Sequence, residues 1–583
     1  MPRMFFFALI GFWIIMSCEP ETSVPESSID RIVVHINKEP QRLNPIFTES
    51  SEERIVTEHM FLSLCDYDPV SGRLAPVLIK TLPTTERSVN EQGETIVKIT
   101  AEILPDAIWA NNSPITGHDV AFTLKMANLP SVSTPMWKNL QNDVIDIDVS
   151  ESNHKIFSIT FSGDYFLSQD GVLTAEILPR HKYDPEGILK EYTYSSLKTD
   201  EEAINVDSTL ASLGKMFSSA KYSRDTIIEG AAAYRLDKWQ SGQFIVLNKV
   251  DNWWGDNYPE RTLLHAYPDQ IVYQIVTDPT VAITQLKGGQ LDVLSLSGSA
   301  TQAYMDLQED PSIAGDNIFL TPELTRIYYI LLNNQDVRLS DVRVRRALAH
   351  LMDVQRLINQ QELGLGTVVN SAIHPNQMGY YDGLNMVTYN VDQAIALLKE
   401  SGWIDQDGDG IREKIIGNVN EELNLRFFIS GSSLSTSIST LLKESALKAG
   451  INIELVTKSG RASRQENIIP GNYELTAQAM TSEGRKDPYS MFHTDAMGAN
   501  GQNWSGYSNA IVDDLIETIR FTTDEAKRMQ AYEDFQKIIE KDQPLIFLYA
   551  PVEKLVISNK FDPLISSKRP GFFVNSFRRA SGS

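Results

Sequence analysis

Cysteine is almost absent: Cys18 and Cys65 are the only two in 583 residues. No disulfide framework can be built from them, so the fold must be held by its core. Histidine is also sparse. The nine present are scattered with no pair at metal-ligand spacing, and no GxSxG, HExxH or P-loop sequence occurs. Metal catalysis is unsupported and the common hydrolase motifs are missing. Paired carboxylates are too plentiful in so acidic a chain to mark a glycosidase site without geometry. No apolar run reaches the roughly 18 residues that span a bilayer. Positive charge is in deficit, with 52 Lys and Arg against 76 Asp and Glu and a net charge of -24. That excess repels the phosphate backbone and excludes a nucleic-acid partner, and its plain reading is a soluble surface.

What is there describes a large globular chain. Its 42% hydrophobic and 9% aromatic content can fill a core, and its length exceeds what one core sustains, so two or more lobes are expected. Arg3, an apolar run from Met4 to Met16, then Ser17 and Cys18 have the layout of a secretory signal, predicted over residues 1–17. Ile15, Met16, Ser17 and Cys18 resemble the lipobox of bacterial lipoproteins, which implies that Cys18 is acylated and anchors the mature chain to a membrane. A cleaved secretory peptide with an incidental cysteine is the alternative. The polar stretch EPETSVPESS reads as a tether over 18–29, with ordered structure beginning near Asp30.

Strand-like and helix-like segments alternate along the body, which argues α/β architecture. RIVVHI (31–36), KIFSITF (155–161), FIVLNKV (244–250), IVYQIV (271–276), RIYYILLN (326–333), LRFFIS (425–430) and INIELV (451–456) are rich in β-branched and aromatic residues and predict strands. One helix is predicted after Ser340, with Val344, Ala347, Leu348, Leu351, Leu357 and Ile358 on one face. A second is expected between an Asn390 N-cap and Gly402. Ile511, Val512, Leu515, Ile516 and Ile519 predict a third, and Thr522 with Glu525 a capping box for a fourth that stops near Pro544.

Several segments then fall in one order. They are LNPIF (43–47), GRLAPVLIKTLP (72–83), ILPDAIWANNSPITGHDVAFTL (103–124), GAAAYRLDKWQSGQFIVLNKVDNWWG (230–255), DPTVAITQLKGGQLDV (278–293), YYILLNNQDVRLSDVRVRRALAHLMDVQRLI (328–358) and FLYAP (547–551). In that order they resemble the family-five extracellular solute-binding proteins, the oligopeptide, dipeptide and nickel binders of bacterial ABC importers. The resemblance implies a periplasmic-binding-protein-like class II fold: two α/β lobes joined by crossover strands, with a domain inserted into the first. Carried onto this chain, lobe I holds 30–70, 179–325 and 551–583, the insert 71–178 and lobe II 326–550, with hinge strands near Tyr328–Leu332 and Phe547–Val552. It implies no enzyme activity, a monomer on the periplasmic or cell-surface side of a bacterial membrane, a peptide or similar small solute between the lobes, and permease subunits as partners. An extracellular hydrolase or a transporter-independent sensing or display module on the same fold are the alternatives.

The resemblance places ligand contacts at Glu49 and Ser50, at Trp137, at Tyr165 and Phe166, within 479–494, and at Trp504 and Tyr507. Peptide binders of the family carry an aspartate a few residues before an acidic residue and proline. Here Glu483, Gly484, Arg485 and Lys486 precede Asp487 and Pro488. Glu483 would supply a carboxylate for an ammonium group, whereas Arg485 would favour a carboxylate or phosphate on the solute. His493 lies in the same segment. Asp405, Asp407 and Asp409, with Gly410, match positions 1, 3, 5 and 6 of a calcium loop, but Ile416 stands at position 12. A structural calcium and a solvated Asp/Gly turn both fit; no other cofactor is expected.

Overall fold

The computed structural model describes residues 30–48, 50–132, 134–199, 207–224, 228–296, 300–481, 484–498 and 501–581. Cys18, Glu49 and Glu483 lie outside them. The first body is a seven-stranded sheet in the order Asn317–Leu320, Leu555–Ser558, Val293–Ser295, Arg31–Ile36, Gln270–Ile275, Phe244–Lys249, Tyr234–Gln240. Alternation seats it: Ile32, Val34 and Ile36 of the first strand are buried, and that strand runs parallel to Gln270–Ile275 with Ile32 opposite Ile271.

A four-stranded antiparallel sheet, Thr84–Val89, Thr95–Glu102, Ile156–Ser162 and Val144–Val149 in that order, lies in the segment expected to be inserted and shares one continuous core with the first sheet. The helix Gly117–Asn128 belongs to the same domain. Its first residue must be glycine, because a Cβ at Gly117 would come within 2.8 Å of the Phe157 side chain. The Thr116 amide donates to the Asp119 carboxylate at 2.9 Å and fixes the helix start.

The third body has a five-stranded sheet, ordered Asn452–Thr457, Asn424–Ile429, Leu475–Thr481, Arg326–Leu332, Leu545–Phe547. Asn424–Ile429 and Leu475–Thr481 pair only at Phe427 with Leu475 and Phe428 with Thr476. Past that point the two strands are no longer paired, and a crevice opens between them.

Local readings change in three places. The single helix predicted after Ser340 is two, Val342–Leu351 and Val354–Glu362. Met352 turns extended and Asp353 caps the second, its carboxylate accepting from the Arg356 amide at 2.9 Å. Ile511 is 63% exposed, so the stripe of Ala510–Phe521 is carried by Val512, Ile516 and Ile519. The cap of the helix Glu525–Asp542 is Asp524, which accepts from the Ala526 and Lys527 amides. Thr522 instead ends the preceding helix.

Two crossovers link the lobes. The first is residues 321–325, earlier than the strand Tyr328–Leu332 expected for it, which sits inside the lobe II sheet. The second runs from Tyr549–Pro551 to Leu555. They lie side by side, since Glu323 bridges Val552 and the Glu553 amide donates to Pro322 O at 2.9 Å. Beside them Lys554, 1% exposed, forms an ion pair with Glu362 at 2.6 Å. Tyr549 Oη at 3.1 Å and Thr301 Oγ1 at 3.2 Å also donate to that carboxylate. Glu362 closes a lobe II helix while Thr301 opens a lobe I helix, so this cluster pins the lobes at their pivot. Lys554→Met alone is expected to destabilise the protein by about 3–5 kcal/mol in chemical denaturation, because it leaves a buried carboxylate short of a cation, and Lys554→Met with Glu362→Leu to recover most of the loss.

Candidate functional site

The insert reaches lobe II through the helix Phe166–Leu173. Asp170, on this helix, faces Arg485 in lobe II. Arg485 Nη2 donates to both Asp170 oxygens at 2.9 and 2.8 Å, its Nε donates at 3.1 Å, and its guanidinium lies 4.3 Å over the Phe166 ring. Tyr67 Oη, from lobe I, donates to the same carboxylate at 3.1 Å. Alongside, Tyr165 Oη donates to Asp487, which also accepts from the Tyr489 amide at 2.8 Å and pairs with Arg520 Nε at 3.3 Å. Arg520 stacks between Tyr165 at 4.4 Å and Tyr489 at 4.1 Å. Loss of water and the adjacent carboxylates push the Tyr67 and Tyr165 hydroxyls up, so both stay protonated donors.

The loop carrying Arg485 comes this close because residue 484 has no side chain. Gly484 has φ +62°, and a Cβ there would lie 2.1 Å from the Tyr67 ring. An aspartate at this position would collide with lobe I. Burial pushes the neighbouring Lys486 ammonium down.

Two adjacent spaces flank the contact. One, about 290 Å³, is bounded by Tyr67, Asp170, Arg485, Lys486 and Asp487. The other, about 270 Å³, lies deeper between lobe I and the insert, and Tyr67, Leu140, Gly171 and Thr174 line both. Its charged lining mixes Arg54, Lys568 and Arg569 with Glu58, Asp66 and Glu176. Lys568 Nζ stands 3.0 Å from Asp66 and 3.8 Å from Glu58. A wall with both signs of charge and aromatic faces suits a zwitterionic or amide-bearing solute better than a hydrocarbon. Desolvation raises the Glu176 carboxyl, outweighing the pull of Arg54 and Lys568.

The folded protein therefore holds the Glu176 proton more tightly than the unfolded chain does. Stability from that proton is full below the unfolded value and is lost as pH rises through the folded one. Glu176→Gln is expected to raise the melting temperature relative to wild type at pH 7 to 8 and to leave it unchanged near pH 4. Parallel thermal melts across that range check the sign.

The residues singled out in the sequence land in different places. Tyr165, Phe166, Arg485 and Asp487 meet at the interlobe contact, and Trp137, 3% exposed, is a wall of the deeper cavity. Ser50 caps the helix Ser51–Thr57, accepting from the Glu53 amide at 3.2 Å. His493 lies behind the contact, stacked on Tyr489 at 4.4 Å with Nε2 3.5 Å from Glu517. Tyr507 is buried in lobe II and donates to Asp542 at 2.6 Å. Trp504 packs on the same core beneath Arg464, 5.3 Å from its guanidinium. In the acidic turn, Asp405 and Asp407 meet Glu413 rather than Asp409, with one oxygen of each within 4.8 Å of the others. Asp409 accepts from the Ile411 amide at 2.7 Å, and the Gly408 and Gly410 amides bind Asp405. Asp170, Tyr67, Arg520 and Lys568 had no signal in the sequence, because their partners are remote in it.

Comparison with known proteins places this arrangement. Residues 87–503 match the family described as Bacterial extracellular solute-binding proteins, family 5 Middle. The oligopeptide-binding protein AppA of Bacillus subtilis is 25% identical over 327 residues, 55% of this chain and 56% of its own, so the match spans a little over half that relative. The solved structure of that protein in complex with a nonapeptide superposes with a TM-score of 0.66 at 18% identity, over 94% of this chain and 99% of the other. NikA from Brucella suis, in complex with Fe(III)-EDTA, gives 0.71 at 17% identity over 94% and 100%. The fold is therefore the two-lobed α/β fold of these binding proteins, and the chain belongs to the bacterial extracellular solute-binding proteins of family 5.

Proposed function

We propose that this protein is the substrate-binding component of an ABC importer, tethered to a membrane through acylated Cys18, and that it captures a peptide or similar small solute between its lobes for delivery to a permease. The interlobe contact carries the reading: Asp170 and Tyr165 of the insert engage Arg485 and Asp487 of lobe II next to a polar cavity. These contacts tie the two sides of the cavity together, so a solute touching both sides favours the state that makes them. A relative crystallised with a nonapeptide supports a peptide, and one crystallised with Fe(III)-EDTA supports wider chemistry.

Lobe II supplies a further element for a peptide. Among the described residues, the strand Leu475–Thr481 has no paired strand beyond Thr476 on the side away from Arg326–Leu332. An extended solute can add there as a strand, with backbone pairing that is indifferent to side chains. Glu49 and Glu483, outside the described residues, remain proposed contacts on the two sides. A calcium ion at Asp405, Asp407 and Glu413 would be structural, since the turn joins a helix to a hairpin.

Native mass spectrometry of the purified protein should release a small solute unaltered. Arg485→Gln and Asp170→Asn should each weaken rebinding of that solute about five- to tenfold in calorimetry and enlarge the solute-free radius of gyration. Unchanged radius and affinity in both variants would remove the contact from the closing mechanism. Cys18→Ser should abolish incorporation of labelled fatty acid and shift the protein to the soluble fraction; label retained in that variant would refute the anchor.

A further inference from the structure

Arg485 was the residue expected to attract an anion, but Asp170 neutralises it. A different part of lobe II is cationic. Where Asn424–Ile429 parts from Leu475–Thr481, a crevice of about 600 Å³ opens at the carboxyl ends of these parallel strands. In open α/β sheets this is where ligands sit. Arg461 and Arg464 line it, with Ser430, Ser432, Ser435 and Gln478 as polar neighbours, and not one of its 13 lining residues is acidic. In a chain with net charge -24 such a wall stands out.

Both arginines are exposed, and among the described residues neither has a carboxylate within ion-pair distance. Arg464 rests on the Trp504 ring at 5.3 Å, an aromatic support that orients a guanidinium without neutralising it. The segment from Gly460 holds both in one compact run, four residues of α-helix and then a π-helical turn, Arg464–Ile468. Turns of that kind are frequent at functional sites. Gln478 and Ala479 line the same crevice, so the strand edge open to an extended solute runs directly past the two cations.

We propose that this crevice holds an anionic group of the solute, a carboxylate or a phosphate monoester, between Arg461 and Arg464. The proposal rests on the reading of the cleft as a solute site and adds its charge preference. The two guanidiniums offer bidentate donors of fixed geometry, and the serine hydroxyls supply further donors.

The test is calorimetric titration of the full chain in detergent with C-terminally amidated alanine tetrapeptides carrying one glutamate, one phosphoserine or one lysine at each position in turn. At one position the acidic peptides should bind at least tenfold more tightly than the lysyl peptide. Arg461→Gln with Arg464→Gln should erase that preference. Whether glutamate or phosphoserine gains more identifies the group. Equal binding of acidic and basic peptides, or a preference that survives in the double variant, overturns the proposal while the solute-binding reading stands. If no peptide binds at all, that reading loses its peptide, and the anion site is decided by melts with citrate and inorganic phosphate. A higher melting temperature in wild type but not in the double variant upholds it, and equal shifts overturn it.

Discussion

The ion pair between Arg485 and Asp170 is the contact on which the closed arrangement turns. It joins residues 315 positions apart in sequence, one in the insert and one in lobe II. Everything around it serves to bring the two together. Gly484 lets the loop lie against Tyr67, Phe166 supports the guanidinium from below, and Tyr67 takes up a remaining lone pair of the carboxylate. The parallel set of Tyr165, Asp487 and Arg520 repeats the same chemistry a few ångströms away. Each acid thus has a cation and a hydroxyl donor, which is what partly buried charge requires if it is not to cost more than it contributes.

That pairing has a consequence for recognition. The two carboxylates nearest the interlobe contact are already matched by arginine, so they offer little to an ammonium group. The deeper cavity keeps both signs of charge, while the crevice in the lobe II sheet keeps only positive charge. A solute spanning the cleft would therefore meet a balanced wall on one side and a cationic one on the other. The overall acidity of the surface works against the approach of an anion at long range, but screening over about 8–10 Å confines that penalty to the encounter and spares the bound state.

Much of the fold could be read from the chain. Strands such as Arg31–Ile36 and Gln270–Ile275 announce themselves because burial on a pleated sheet demands β-branched and aromatic residues in short runs. The break between Val342–Leu351 and Val354–Glu362 escaped because the apolar stripe passes through it unchanged, and only the cap geometry at Asp353 betrays it. Thr522 and Asp524 are both capping residues two positions apart, and local sequence cannot rank them. The site was less accessible. Tyr165, Phe166, Arg485 and Asp487 were indicated by resemblance alone, and Asp170 by nothing, since an acid inside an ordinary helix carries no mark of a partner in another lobe. Tyr507 shows the converse: an aromatic in a promising segment goes to the core when its hydroxyl can reach an acid such as Asp542.

The magnitudes decide how closing must work. Hydrogen bonds to charged groups contribute about 1.5–3 kcal/mol each net, before the entropy of bringing two lobes together is charged against them. Taking an equilibrium from almost fully open to almost fully closed needs roughly 5.5 kcal/mol of preference. The Asp170 and Asp487 contacts are of the same order before ordering is counted, and the Lys554 cluster at the pivot is placed to hold the lobes together more than to drive them. In the proposed reading, a solute touching both sides adds to that preference. A protein built this way stays responsive: contacts strong enough to close the cleft unaided would leave it shut whether or not anything was inside.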